Sequence, residues 1–99
     1  MARLCRVVSH FACRWDHDFL DEPIRVYEEI DEHRMEVRKV EEYRDGRLVR
    51  ADTVNDTRTS LSWEPLPGVA EIESQAEFSV EPLTAEQFDA VWTKATDAT

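Results

Sequence analysis

Glycine and proline are scarce, with only two and four among 99 residues, and no Ser/Gly-rich or Pro-rich tract interrupts the chain. That scarcity excludes a linker-like or disordered protein over most of its length. Long apolar runs are missing as well: none exceeds a few residues, so no segment suits a bilayer span, and the N-terminus shows no apolar stretch of the secretory type. A cytoplasmic location is the expectation. Cysteine is limited to Cys5 and Cys13. On one extended strand their spacing corresponds to about 27 Å at roughly 3.4 Å per residue, against ~7 Å for a disulfide. Both therefore read as free thiols, which suits a reducing compartment. Recognised catalytic, phosphate-binding and metal-binding motifs are absent too, so the sequence fixes architecture better than chemistry.

What is present is enough for one domain spanning residues 1–99. An apolar fraction of 41% and three tryptophans supply one layer of helix against one sheet, and a body of this size does not support two independent cores. The net charge of -10 is unevenly spread: three arginines and no acid precede Asp16, whereas eight acids face the single Lys94 from Thr59 onward. Such a surface repels phosphates, which argues against nucleic acid as a partner. A basic protein partner is electrostatically favoured. Keeping a small protein in solution is the plainer use of the same charge.

Residues 4–15, with Val7, Val8, Phe11 and Trp15 and no breaker, read as a first strand. The acidic DHDFLDEP stretch is a loop, and Pro23 leads into a second strand in which Ile24, Val26 and Ile30 alternate with Arg25, Tyr27 and Glu29. Glu28 breaks that alternation. A two-residue turn at Asp31-Glu32 pairs Glu29 with Arg34 and Val26 with Val37. In residues 33–44 the apolar parity changes after Val37, which predicts a bulge near Arg38-Lys39. Asp45-Gly46 signals a two-residue hairpin turn pairing Tyr43 with Leu48, Glu41 with Arg50 and Val40 with Ala51. Residues 52–62 form the longest loop, with a turn at Asn55-Asp56, and Leu61-Ser62-Trp63 suggests a short strand. Pro65, Pro67 and Gly68 then lead into a short helix carrying Val69, Ile72 and Ala76. Thr84 and Gln87 form a capping box, Leu83 and Phe88 a hydrophobic staple, and Phe88, Val91, Trp92 and Ala95 an apolar stripe at helical spacing. Residues 96–99 are expected to fray.

Taken in order, Trp15-Asp16-His17, Asp21-Glu22-Pro23, Tyr27-x-Glu29, the Glu-Val-Arg-Lys-Val-Glu run at residues 36–41, the hairpin at residues 43–48, Pro65-x-Pro67, and Glu86-x-Phe88-x-x-Val91-Trp92 give the chain a recognisable pattern. It resembles a family of small bacterial proteins known only as a domain of unknown function. The resemblance implies a compact α+β protein of bacterial origin and transfers no catalytic residue. Cys5 and Cys13 lie outside it.

Three groups of side chains carry candidate chemistry. The first is Asp16, His17, Asp18, Asp21 and Glu22: a carboxylate beside an imidazole orients a general base, so a catalytic reading rests on His17 and Asp16. No nucleophilic or electrophilic partner is identifiable from spacing, and a strand end with a packed Trp15 and solvated acids is the commoner outcome. The second is metal binding by His10, His17, His33, Cys13 or the nearby acids, for which no ligand spacing of a zinc site is present. Cys13 beside Arg14 is a weaker nucleophile candidate. The third is an aromatic and arginine patch of Arg25, Tyr27, Arg38 and Trp63, residue types that anchor interfaces, set against an ordinary charged solvent face.

The expected fold is α+β: a mainly antiparallel, three- to four-stranded meander sheet packed on one face by a short helix and a C-terminal amphipathic helix. The favoured function is an acidic protein-binding module of the immunity or antitoxin kind, without cofactor, metal, membrane or nucleic-acid partner. Asp16, Asp18, Asp21, Glu22, Arg25, Tyr27, Arg38 and Trp63 are its binding residues. The rival is a small enzyme or ligand-binding protein built around His17, Asp16 and the loop to Glu22. A homodimer through an open sheet edge is compatible with either.

Overall fold

Val8 to Asp52 folds as the meander that the alternation predicts. The computed structural model describes residues 7–52, 61–62 and 64–97. Its elements are β1 (Val8–Trp15), β2 (Arg25–Asp31), β3 (Glu36–Glu42), β4 (Leu48–Asp52), α1 (Val69–Glu73), β5 (Phe78–Pro82), α2 (Ala85–Lys94) and β6 (Thr96–Asp97). They build one α+β sheet in the order β5-β1-β2-β3-β4-β6. Every pairing is antiparallel except the short β4–β6 contact. The sheet thus exceeds the expected three or four strands. The added strands are short and lie at its two edges. Leu4, Cys5, the turn at Asn55-Asp56 and Trp63 fall outside the described residues. Leu61 and Ser62 form no strand.

Both hairpins close by the same device, and it corrects both expected registers. Between β2 and β3, Arg34 N–H donates to the Asp31 carbonyl (2.9 Å) and Asp31 N–H to the Met35 carbonyl (3.0 Å), while Arg34 sits at φ 62°. The connection is therefore a three-residue loop with its last residue left-handed. Asp31 Oδ1 braces it by accepting from the amides of His33 and Met35. Glu29 consequently faces Arg38, and Val26 faces Glu41, in place of Arg34 and Val37. The ladder shifts between Glu29 and Ile30, which pairs with Glu36. Val37 is thus the extra residue of the bulge, one position before Arg38-Lys39.

Between β3 and β4, Gly46 N–H donates to the Tyr43 carbonyl (2.9 Å) and Tyr43 N–H to that of Arg47 (2.9 Å). Gly46 takes φ 90° and Asp45 Oδ1 accepts from Arg47 N–H. This loop also has three residues, so Glu42 pairs with Leu48, Glu41 with Val49 and Val40 with Arg50. Each expected pair was one residue out.

Alternation along paired strands places His10, Ala12, Tyr27, Glu29, Arg38, Val40 and Arg50 on one face and Phe11, Cys13, Val26, Glu28, Ile30, Lys39 and Ala51 on the other. The helices do not share a face. α2 covers the first: the Phe88 ring meets His10, and Arg38 lies over both Phe88 and Trp92. α1 and the segment before it border the second, where Ile72 and Leu66 line a groove with Phe11 and Val26. β5 intervenes between the helices at the sheet edge, so the chain changes sides through it. Phe88, Val40 and Ile30 are the large side chains sealed most completely.

α2 begins as its sequence dictates. Thr84 Oγ1 accepts from Gln87 N–H (3.0 Å) and Gln87 Oε1 from Thr84 N–H (2.8 Å), satisfying two otherwise orphaned donors. After Ala95 the chain turns extended, and Thr96 pairs with Val49 in parallel. Thr96 and Asp97 are thereby held on the sheet instead of fraying. α1 is a single turn and a half, capped by backbone only at Gly68. Among the described residues, no helix is long and apolar enough to cross a membrane.

Candidate functional site

The loop of residues 16–23 leaves the sheet at the end of β1 and returns before β2. Trp15 anchors it: its ring lies 3.9 Å from that of His17 and 6.0 Å from that of Phe78, centroid to centroid. The shared face of Trp15 and His17 follows from strand alternation. His17 Nε2 is 2.8 Å from the Pro23 carbonyl and Nδ1 accepts from Phe19 N–H at 2.9 Å. A carbonyl only accepts, so the proton sits on Nε2 and the ring is the neutral tautomer. Arg44, reaching over from the β3–β4 turn, donates to the His17 carbonyl. Asp16, Asp18, Asp21 and Glu22 are exposed around the loop. At its tip Phe19 is 62% and Leu20 82% exposed. Both ring nitrogens of His17 are thus committed to the backbone, and neither is held by Asp16.

Arg25, Tyr27 and Arg38 do lie on one face, but Arg38 belongs to a network separate from that of the other two. Arg25 donates to the Tyr27 hydroxyl (3.2 Å), which donates to Glu42 Oε1 (2.8 Å). Arg38 grips Glu29 through two bonds of 2.6 and 2.8 Å and touches Asp89 at 3.1 Å. Its guanidinium lies 4.9 Å from the ring centroids of both Phe88 and Trp92. His10 Nε2 is 2.9 Å from Glu29 Oε2. Arg38's hydrogen bonds, joined by that of His10, hold the Glu29 carboxyl below its usual range against the opposing effect of burial. The charged face of β2 and β3 is therefore roofed by α2, and Arg38 fastens that roof. Trp63 lies outside the described residues.

The opposite face carries a group that the candidate list passed over. Glu28 is only 7% exposed. Burial first, and then its hydrogen bond to Glu36 and that neighbour's charge, raise its carboxyl well above the usual range. Glu28 Oε1 is buried without a partner, while Glu36 Oε1 accepts from Ser62 N–H. Lys39 stands across from Glu28 but pairs with Glu41 at 3.6 Å. The signal was legible: Glu28 is the acid that occupies an apolar position between Val26 and Ile30.

Two further side chains are shifted away from reactivity. Burial, then the charges of Glu28 and Glu73, push the Cys13 thiol up, the reverse of an activated nucleophile. Burial, then a hydrogen bond to Glu41, pushes Tyr43 up to about 12, so its phenol keeps its proton. Among the described residues, no group of three or more His, Cys, Asp or Glu side chains is placed to hold a metal ion.

The geometry defines a small α+β protein whose antiparallel sheet carries a helix on either side. The chain belongs to the family described as a domain of unknown function, DUF6881, whose profile matches residues 9–97. That agrees with the resemblance drawn from its motifs. No curated protein and no solved structure matches it.

Proposed function

We propose that this protein is a non-enzymatic binding module that docks on a basic protein partner through the loop of residues 16–23, in the manner of an immunity or antitoxin protein. The observation that carries the reading is the tip of that loop, where exposed Phe19 and Leu20 stand among Asp16, Asp18, Asp21 and Glu22. A pair of apolar anchors inside an acidic rim matches an apolar pocket with a basic rim: the anchors supply desolvation energy and the rim supplies steering and selectivity. The loop is also pre-formed, because His17 bonds the backbone at two points and Arg44 bonds it from outside. Pre-formation lowers the ordering cost of association. With both His17 nitrogens occupied, the rival reading of a general base at this site loses its support.

Pairing through sheet edges is the weaker mode of association. Pro82 lies in edge strand β5, and Glu73 Oε2 accepts from the Val80 amide, so that edge is already blunted. The setting we propose is a reducing bacterial cytoplasm, in keeping with the free Cys13 thiol.

The test is a pull-down from the native host at low and high salt with three baits: wild type, a Phe19→Ser/Leu20→Ser variant, and a variant carrying Asp16→Asn, Asp18→Asn, Asp21→Asn and Glu22→Gln. One basic protein is expected with wild type at low salt, weakened by high salt and lost with either variant. Capture that ignores both sets of substitutions, or no partner at any salt, overturns the reading.

A further inference from the structure

The sheet face that carries α2 is covered at His10 by the Phe88 ring, but further along β1 it opens into a cleft of about 370 Å³ lined by Ala12, Arg14, Arg25, Ser79, Val80 and Glu81. That volume falls in the range of ligand clefts, roughly 300–1,000 Å³. The strand registers bring its groups together. Arg14 stands opposite Arg25 on β2 and opposite Ser79 on β5, and Ala12 stands opposite Glu81. Ala12, Arg14, Arg25, Ser79 and Glu81 therefore rise from the same face of three adjacent strands. Ala12 is the floor, 2% exposed, and its lone methyl group among longer neighbours leaves the hollow.

Two arginines directly opposite in a ladder repel each other and weaken the pairing, and an anion seated between them turns that repulsion into attraction. Arg14 is exposed and meets no carboxylate among the described residues. Arg25 uses only Nη1, which donates to the Tyr27 hydroxyl at 3.2 Å and lies 3.7 Å from Glu42 Oε1, and its side chain is 33% exposed. Neither guanidinium is closed off. Glu81 is exposed too and forms no ion pair among the described residues. It stands within electrostatic reach of Arg25, whose pKa is raised by the Tyr27 hydrogen bond first and, against burial, by the charges of Tyr27, Glu42 and Glu81. Two arginines against Glu42 and Glu81 leave the cleft without net charge, which disfavours a phosphate dianion. A single carboxylate suits two guanidinium forks, and Glu81 beside it suits a cation on the same molecule.

We propose that this cleft binds a small zwitterion of the amino-acid class, its carboxylate held between Arg14 and Arg25 and its ammonium received by Glu81. The site is separate from the tip of the docking loop and stands whether or not that loop binds a protein.

NMR titration of the whole chain tests it with two amino carboxylates of different charge spacing, glycine and 4-aminobutyrate. Acetate and butyrate, which lack the ammonium, are their matched partners, and butylamine lacks the carboxylate. The expected result is that at least one amino carboxylate shifts the amides of Ala12, Arg14, Ser79 and Glu81 and binds about tenfold more tightly than its matched carboxylate, the value of one charge-assisted hydrogen bond. Butylamine should bind more weakly than either. Arg14→Gln should weaken that amino carboxylate about tenfold, and Glu81→Gln should bring it down to the affinity of its matched carboxylate. Lys94→Gln, on α2 and outside the cleft, should change neither. No binding by either amino carboxylate, equal affinities within both matched pairs, shifts confined to other residues, unaltered binding in Arg14→Gln or Glu81→Gln, or an equal loss in Lys94→Gln each overturn the proposal. If a variant does not fold, the matched pairs on the wild type decide: a preference for the amino carboxylate with shifts at the cleft supports the site, and its absence removes it.

Discussion

Glu28 and Lys39 stand opposite each other across β2 and β3, yet Lys39 Nζ pairs with Glu41 at 3.6 Å and leaves Glu28 to share a hydrogen bond with Glu36. An acid and a base in register thus fail to form an ion pair. Burial favours the neutral form of the Glu28 carboxyl, while on the other face the bidentate grip of Arg38 favours the charged form of Glu29. Adjacent residues on one strand therefore respond to pH in opposite senses.

The sign of each response follows from linkage. Glu28 binds its proton more tightly when folded than when unfolded, so stability falls as pH rises from the ordinary glutamate range up through its folded titration. Glu29 binds its proton less tightly when folded; its contribution is present above the ordinary range and is lost as pH falls through its lowered folded value. Glu28→Gln should leave stability unchanged near pH 4 and raise it by about 1 kcal/mol at neutral pH, since it removes the cost of a buried ionisable pair. Urea unfolding of both proteins at pH 4, 5.5 and 7 measures this. Parallel pH profiles would show that Glu28 titrates normally.

Arg38 ties α2 to the sheet through Asp89 and the rings of Phe88 and Trp92. Arg38→Ala leaves Glu29 buried with a weaker partner and should cost about 3 kcal/mol. Arg38→Lys should lose most of the same amount, because an ammonium neither forks onto the carboxylate nor stacks over the Phe88 and Trp92 rings. Asp89 is 61% exposed on its side chain, and Asp89→Ala should cost under about 0.5 kcal/mol. Chemical denaturation ranks the three. An Arg38→Lys variant as stable as wild type would reduce this contact to simple charge pairing.

The His17 ring has a definite tautomer to detect. Long-range ¹H–¹⁵N correlation should show the proton on Nε2, with Nδ1 accepting from Phe19. His17→Ala removes both backbone bonds and should lower stability by about 1 kcal/mol, with faster exchange of the Phe19 amide. A proton found on Nδ1, or Phe19 exchange that ignores the substitution, would dissolve the clamp.

The sequence displays the meander and the capped last helix because those features are local: alternation over seven or eight residues, Asp45-Gly46, and Thr84 with Gln87. Registers are less legible, since a single extra loop residue shifts every pair. Gly46 satisfies a two-residue and a three-residue turn equally well, and nothing marks Arg34 as left-handed. β5 hides because it is five residues long, ends in Pro82 and sits between two helices. β6 exists only through its contact with β4. The acids of the loop were visible as a run, but Phe19 and Leu20 at its tip look like ordinary core residues until their exposure is known. Glu28 was visible as an irregularity whose meaning depends on what covers that face.

Arg34 and Gly46 occupy the same position of two like turns, and comparing them separates backbone from side-chain energetics. At Gly46 an added Cβ meets nothing within 4 Å, so Gly46→Ala should cost only the left-handed backbone penalty, about 1 kcal/mol. Arg34 already bears that penalty, and its side chain offsets it: Nε donates to the Leu66 carbonyl (3.0 Å) and Nη2 to that of Pro67 (2.6 Å), holding one wall of the groove. Arg34→Gly relieves the backbone while releasing the wall, so global stability should stay within about 1 kcal/mol of wild type. Arg34→Ala keeps the penalty and loses the bonds, and should fall below Arg34→Gly by about 1 kcal/mol. In both, the Leu66 amide, which donates to the Arg34 carbonyl, should exchange about tenfold faster as the segment loosens. Hydrogen exchange and urea unfolding on the three variants read the two effects independently. Equal stabilities for Arg34→Gly and Arg34→Ala would mean that the left-handed residue carries no strain, and unchanged Leu66 exchange would mean that Arg34 does not hold the groove wall.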